Sequence, residues 1–418
     1  MSAVSLPLLD RPARTEGVRA SVGDIPAIEG LRGVAVLWVM AFHYRVLRDG
    51  RFDDAFVAAV KSWAPLDVLA RHGYLGVDLF FVITGFLLTL PWFRQAAAGL
   101  PAPDARTFYR RRARRIIPAY YVQLVILFFV VLPLFYPRLW LESTPFAVGN
   151  LGAHFTFLHY TTPLSSASMT LNGALWTLAI EAQYYLLLPV IAPCFVRWPW
   201  RSLAAAFAIA AGWRWLAAAH LDGLVAWYVQ LGSRAGVEEA HARHLLATQL
   251  PAWALHFALG ILAGRAWLHR QKAPQIRQRA QRLRSSAPAP RLIAWLPSML
   301  AAAAVLGLYA ALSLGTAPLG NWGWVAFPLL IACALAAVIA GPSPALSTAL
   351  AASPLAALGR ISYSAYLYHL PLLLLLNKLA PEAHSGIAFP AWIVLVVAAS
   401  ALSYRYAEEP FLATPPRR

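Results

Sequence analysis

Ten apolar runs, each about as long as a bilayer is thick, leave this chain few ways to fold. They lie near 27–47, 74–93, 116–136, 173–195, 203–220, 246–268, 293–314, 322–340, 355–379 and 387–406. About 20 apolar residues wound as a helix cross the hydrocarbon core of a membrane. Inside lipid the backbone must satisfy its own hydrogen bonds, and a helix does so within one segment. The expected fold class is therefore all-α: a polytopic transmembrane helical bundle of about ten transmembrane helices. Of the 418 residues, 60% are hydrophobic and 13% charged, against roughly a quarter charged in soluble domains. A weaker stretch, Phe146 to Leu158, is short and broken by Gly149, Asn150, Gly152 and His154. It reads as a half-buried loop or re-entrant segment.

The basic residues orient the bundle. With ten spans and both termini in the cytoplasm, 23 of the 35 Lys and Arg fall in cytoplasmic segments. The Arg106–Arg115 cluster and the 265–291 loop hold most of them, as the positive-inside rule requires. An eleventh span would strand one of these clusters outside. The net charge of +17 is thereby explained by anionic lipid heads, and nucleic acid is not an expected partner. Cys194 and Cys333 are about 140 residues apart in apolar runs, which makes no disulfide or metal pattern. The first 24 residues are mixed and polar, so no cleavable signal is expected. No internal repeat is evident, which weighs against an inverted-repeat transporter.

Ionisable residues within spans are costly and usually face a cavity or a partner. The first span has Glu29, Arg32 and His43. Eleven helical steps bring His43 back to within about 20° of Arg32, and fourteen steps to within about 40° of Glu29. One stripe of this helix is thus polar over about 20 Å. The second span reads GYLGVDLFFVITGFLL, with Asp78 and Thr84 among apolar residues. FYRRRARRIIPAYY places Arg111, Arg112 and Arg115 just before the third span, where arginines can fork onto phosphates or simply mark topology. The fourth begins NGALWTLAIEAQYYLLLP, in which Glu181 lies near Trp176, Thr177, Tyr184 and Tyr185. LGRISYSAYLYHLPLLL then sets Arg360, Tyr363, Tyr366 and His369 at spacings of three, a pattern expected of one wet helix face. His154 and His159, and the pair His241 and His244, are placed in outer loops. No third ligand accompanies either pair, so no metal is expected.

These residues form a pattern that resembles the membrane acyltransferase-3 family. IPAIEGLRGVAVLWVMAFHY is similar to its opening helix, with Arg, ten residues, then His. GVDLFFVITGFLL, RRRARRIIPAYY, LWTLAIEAQYYLLLP, LGRISYSAYLYHLPL and YAEEPF resemble its later blocks, in the family's order, from residue 25 to 411. Thr84 and Thr177 stand where serine is commoner, and Tyr184 where phenylalanine is. The resemblance divides the chain into a cytoplasmic tail (1–24), an acyltransferase-3 transmembrane domain (25–411) and a second cytoplasmic tail (412–418).

The resemblance implies an acyl-CoA-dependent O-acyltransferase of a bacterial inner membrane. It would move an acyl group, commonly acetyl, from cytoplasmic acyl-CoA to a hydroxyl on a sugar-containing acceptor, with no permanently bound cofactor. His43 would be the catalytic histidine and Arg32 its essential partner position, with Glu29 beside them. Arg112 and Arg115, with Arg111, would serve the donor. Asp78, Thr84, Trp176, Glu181, Tyr185, Tyr363, Tyr366 and His369 would line or support the cavity. The esterase-like domain fused to some members is not expected here, which favours direct transfer or a separate glycan-assembly partner protein. The chemistry agrees: acyl transfer needs a base near neutral pH and a donor of hydrogen bonds to the developing charge. Two other readings stand beside it: an acyltransferase for a small glycoside or macrolide, and a secondary transporter whose polar stripe conducts protons or solute.

Overall fold

The computed structural model describes residues 25–137, 144–161, 172–232, 238–281, 292–313, 322–340, 349–351, 354–380 and 386–412. The tail 1–24, residues 282–291 at the end of the basic loop and residues 413–418 lie outside the described residues, while the first part of that loop continues the helix that ends at Gln281. Each of the ten apolar runs is largely helical over its described part, with breaks at Thr248–Gln249 and at Ile361, and no strand occurs among the described residues. The elements are α1 (Pro26–Arg48), α2 (Ala55–Ser62), α3 (Ala64–Arg71), α4 (Leu75–Ala97) and α5 (Ala105–Ile126). After these come α6 (Thr144–Phe155), α7 (Trp176–Arg197), α8 (Pro199–Ala219), α9 (Asp222–Gly232) and α10 (Glu239–Ala247). The remainder are α11 (Ala254–Gln281), α12 (Leu292–Ser313), α13 (Gly323–Ala340), α14 (Pro354–Arg360), α15 (Ser362–Leu379) and α16 (Ala388–Ser403).

Among the described residues, five helical rods are long and apolar enough to cross a membrane: Leu75–Ala97, Ala105–Phe135, Gly173–Arg197, Pro199–Ala219 and Ala388–Leu412. A sixth is added if Glu239–Ala247 and Leu250–Gln271, bent by 54°, form one span. The rods of α1 and α15 are not among them, because the polar residues singled out above interrupt their apolar sequence. Leu186, Val190, Leu306 and Val394 stand exposed on the outside of their rods, as lipid contact demands of a bundle with a polar interior. The main core gathers Val36, Val39, Met40 and Tyr44 of α1, Phe81 of α4, Ile180 and Tyr184 of α7 and Trp392 of α16.

Several helix crossings depend on glycine. A Cβ on Gly85 would strike the Phe257 backbone and one on Gly260 the Val82 backbone, so α4 and α11 touch along their main chains. Likewise Gly33 meets Leu355 and Gly359 meets the Glu29 carbonyl, which clamps α14 onto the first turns of α1. Small residues at such contacts are the usual means of close helix packing in lipid. They fix α1 against the elements that carry the other polar residues.

Three local expectations are corrected. Phe146 to Leu158 is mostly helix, as α6, and His154 is buried in it. The glycines there are tolerated because α5 holds the segment: the Tyr120 hydroxyl donates to the His154 carbonyl and Tyr121 to that of Phe155. His241 and His244 lie on α10, not in a loop. Arg243 steadies that helix by pairing with Glu239 at 2.8 Å and with Asp222 at 2.7 Å. Finally, Arg360 and Tyr363 do not share one continuous helix. The chain breaks at Ile361 between α14 and α15.

Candidate active site

The polar residues converge at the basic end of the bundle on a cavity of about 420 Å³. The first turns of α1 supply Glu29 and Arg32, α4 supplies Thr84, and α5 supplies Arg112 and Arg115. From α7 come Thr177, Glu181 and Tyr185, from α14 Arg360, and from α15 Tyr363 and Tyr366. Such a volume suits part of a ligand of moderate size.

Arg32 Nη1 lies 3.5 Å from Glu29 Oε2, and the Thr84 hydroxyl donates to Glu181 Oε1 at 3.0 Å. The hydroxyl that threonine shares with serine at position 84 is therefore hydrogen-bonded. Arg115 Nη1 donates to Glu408 Oε2 at 2.8 Å, while the Ser364 hydroxyl donates to Glu408 Oε1 at 2.5 Å. Glu408 is fully buried. It gets there because the helix after α16 widens into a π-turn over Tyr404–Glu408, which rotates the carboxylate inward under Arg115. π-Turns of this kind recur at functional sites. Among the described residues Arg112 makes no ion pair of this kind, and its buried Nε makes no hydrogen bond.

His43 does not line this cavity. Its Nδ1 is 3.0 Å from the Val39 carbonyl and 3.2 Å from Nε2 of His369. Tyr366 stands between the pair and the cavity: it lines the cavity, and its ring lies 5.5 Å from that of His369. The Tyr366 hydroxyl accepts from Thr177 at 2.9 Å and donates to the Ala174 carbonyl at 3.0 Å. Phe80 meets the Tyr366 ring edge-on at 6.1 Å.

Arg111 opens onto a second cavity of about 290 Å³, with Arg94, Asp104 and Thr107. The two cavities share Leu87, Leu88 and Arg112. Asp78 is elsewhere, its Oδ1 2.8 Å from His256 Nε2 in a buried pair. Trp176 packs against Trp253 and Tyr160 and lines neither cavity. Of the residues expected from sequence, the first cavity thus collects Glu29, Arg32, Thr84, Arg112, Arg115, Glu181, Tyr185, Tyr363 and Tyr366. His43 and His369 sit together beyond its wall. Glu408 and His256 were not singled out from sequence. The YAEEPF block was the available signal for the first, and nothing marked the second. Among the described residues no group of three or more His, Cys, Asp or Glu is placed to hold a metal ion.

A bundle that is all helix among its described residues, with apolar rods outside and a chamber walled by arginine, glutamate and tyrosine, defines a membrane protein with a polar interior site. Residues 25–405 match the family model described as an acyltransferase domain, and the chain belongs to that acyltransferase-3 family. It is 25% identical to the peptidoglycan O-acetyltransferase OatA of Listeria monocytogenes, over 92% of this chain and 55% of that protein. It is 27% identical to nodulation protein 10 of Rhizobium leguminosarum, over 46% and 48% of the two chains. With the O-acetyltransferase OatA of Staphylococcus aureus it shares 28% identity, over 40% of this chain and 24% of that one. The chain therefore spans about half the length of the first of these relatives. No solved structure matches it.

Proposed function

We propose that this chain is an O-acyltransferase of the cytoplasmic membrane that carries an acyl group, acetyl in the first instance, from cytoplasmic acyl-CoA to a hydroxyl of a sugar-containing acceptor. The observation that carries this reading is the meeting of Arg32, Arg112 and Arg115 on one intramembrane cavity, at the end of the bundle richest in basic residues. A donor with several phosphates and a long thin arm needs cations where it enters and a narrow path beyond them. Guanidinium groups bind phosphate through paired, charge-assisted hydrogen bonds. The names of the Listeria and Staphylococcus relatives support O-acetylation, and the Listeria name supports a glycan as acceptor.

In this reaction the acceptor oxygen attacks the thioester carbonyl, and His43 takes its proton. The carbon–sulfur bond breaks, and the CoA thiolate leaves and regains a proton. The ester remains on the sugar. Arg112 and Arg111 receive the phosphates where the two cavities join, and Arg115 is held in place by Glu408. Purified protein given labelled acetyl-CoA and a sugar-containing acceptor is expected to release free CoA thiol and label the acceptor in equal amounts. A transporter would consume no thioester, and that result would overturn the proposal.

Arg112→Ala is expected to raise the Michaelis constant for acetyl-CoA tenfold or more and leave that for the acceptor alone. The expectation rests on about 1.5–3 kcal/mol for a hydrogen bond to a charged group. Arg112→Lys should recover only part, because lysine lacks the planar fork. Binding of acetyl-CoA measured by calorimetry checks both, and an unchanged donor constant would reduce Arg112 to a topology signal.

The orientation belongs to the same proposal: ten crossings, with both termini in the cytoplasm. Cys194 and Cys333 are exposed and are replaced by serine in the background chain. A cysteine at the exposed Lys61 site should then react with an impermeant thiol reagent added to intact cells. One at the exposed Arg106 site should react only after permeabilisation. The reverse pattern would put the arginines on the wrong side for CoA.

A further inference from the structure

The pair His43 and His369 carries a consequence for which nitrogen does the chemistry. Nδ1 of His369 lies 2.8 Å from the Tyr366 carbonyl and 3.2 Å from that of Ala365. Carbonyl oxygens only accept, so this nitrogen carries a proton. The ring has 0% exposure, and among the described residues no carboxylate pairs with either histidine. A second proton would make an uncompensated buried cation. Nε2 of His369 is therefore a lone-pair acceptor. It faces His43 Nδ1 at 3.2 Å, and that same Nδ1 faces the Val39 carbonyl at 3.0 Å. Both neighbours of His43 Nδ1 are acceptors. Its hydrogen is shared between them, and the lone pair of His43 is left on Nε2. That Nε2 has no partner among the described residues, and it is not one of the sealed, unsatisfied atoms of the interior.

We infer that His369 is a positioning residue that locks His43 in the Nδ1–H tautomer, so that Nε2 is the nitrogen presented to the acceptor hydroxyl. The inference rests on the reading of His43 as the general base. Three features hold the lock in place. The two carbonyls fix the His369 tautomer. The Trp392 indole donates to the His369 carbonyl at 2.9 Å and anchors that turn of α15. The Val39 contact steadies the His43 ring from within its own helix. An imidazole whose tautomer is set by the partner of its other nitrogen is the usual arrangement when one nitrogen must be ready to act. If His369 instead donated from Nε2, His43 would carry its proton on the working nitrogen and could not accept another.

The test combines a spectrum with kinetics. In protein labelled with ¹⁵N-histidine and held in lipid, the His43 resonances are assigned by their loss in His43→Gln. The expected wild-type pattern is a protonated Nδ1 and a bare Nε2. In His369→Leu the His43 pattern should move towards the Nε2–H form. There kcat should fall about tenfold or more while both Michaelis constants stay within twofold, as expected when an orienting partner is lost. His369→Gln offers an amide oxygen to the same Nδ1–H and should restore most of the turnover and the wild-type spectrum. An Nε2–H signal for wild-type His43 would overturn the inference. So would a loss of turnover in His369→Leu with the His43 tautomer unchanged. The spectrum is independent of the general-base reading, which fails separately if His43→Gln keeps its activity.

Discussion

His43→Gln should lower acyl transfer by about 10²–10⁴-fold, the range that general-base help contributes. Glutamine keeps the approximate length and hydrogen bonding of histidine but does not take up a proton near neutral pH. The side chain borders Phe42 and His369, so the substitution removes little packing, and yield and acyl-CoA binding should stay near normal. Transfer is measured with detergent-purified, monodisperse protein. A loss of less than about tenfold falls below the low end of general-base catalysis and would mean that another group accepts the proton. Packing alone predicts tolerance of glutamine, so this substitution separates the two roles where alanine would not.

Asp54→Ala should destabilise the folded protein by about 3–5 kcal/mol, the cost of breaking a buried ion pair from one side. Arg48 closes α1 with 0% exposure, and its Nε lies 2.5 Å from Asp54 Oδ2. The Tyr44 hydroxyl donates to the same oxygen at 2.7 Å, and Oδ1 caps α2 by accepting from the Val57 backbone at 3.0 Å. Removing one carboxylate therefore orphans a guanidinium, a phenol and a helix N-terminus together. Asn377 on α15 takes Arg48 Nη1 at 2.7 Å but has no charge to offer. Asp54→Asn should retain the cap and lose less. The exposed pair of Lys61 and Asp49 nearby is the contrast: Lys61→Ala should cost under about 1 kcal/mol. Unfolding followed in the same detergent by thermal and denaturant scans checks the ranking. Equal losses at the two sites would show that water reaches Arg48.

Much of the architecture was legible because lipid allows so few backbone solutions. Run length alone predicts helix at each apolar run, and the described residues there are largely helical. The cost of intramembrane charge marks Glu29, Arg32 and Glu181, whereas Arg112 and Arg115 stand out only as part of a basic cluster just ahead of the third run. What could not be read depends on contacts between distant segments. Nothing in the composition of YAEEPF announces a π-turn, so Glu408 reads as one more terminal acid when it is the buried partner of Arg115. Asp78 pairs with His256, which lies in an apolar run 178 residues away, and its neighbours give no hint of the partner. The Phe146–Leu158 stretch reads as a half-buried loop or re-entrant segment from its glycines, yet most of it is helix, with two tyrosine hydroxyls from α5 bonded to its last turn. Arg48 looks like an ordinary loop arginine until α2 folds back over it. Helical steps put Glu29, Arg32 and His43 on one stripe of α1. Helical geometry does not show that Tyr366 divides it, with Arg32 on one side and His43 on the other.

That division has a cost and a benefit for the cell. Donor and acceptor on opposite faces of a membrane call for a continuous path between them, and a continuous wet path would also conduct protons. Phe80 and Tyr366 put aromatic carbon across the route, and the Tyr366 hydroxyl is held on both sides by Thr177 and Ala174. On the proposed reaction, a protein at rest with these two rings in place would leave no wet path for protons between Arg32 and His43.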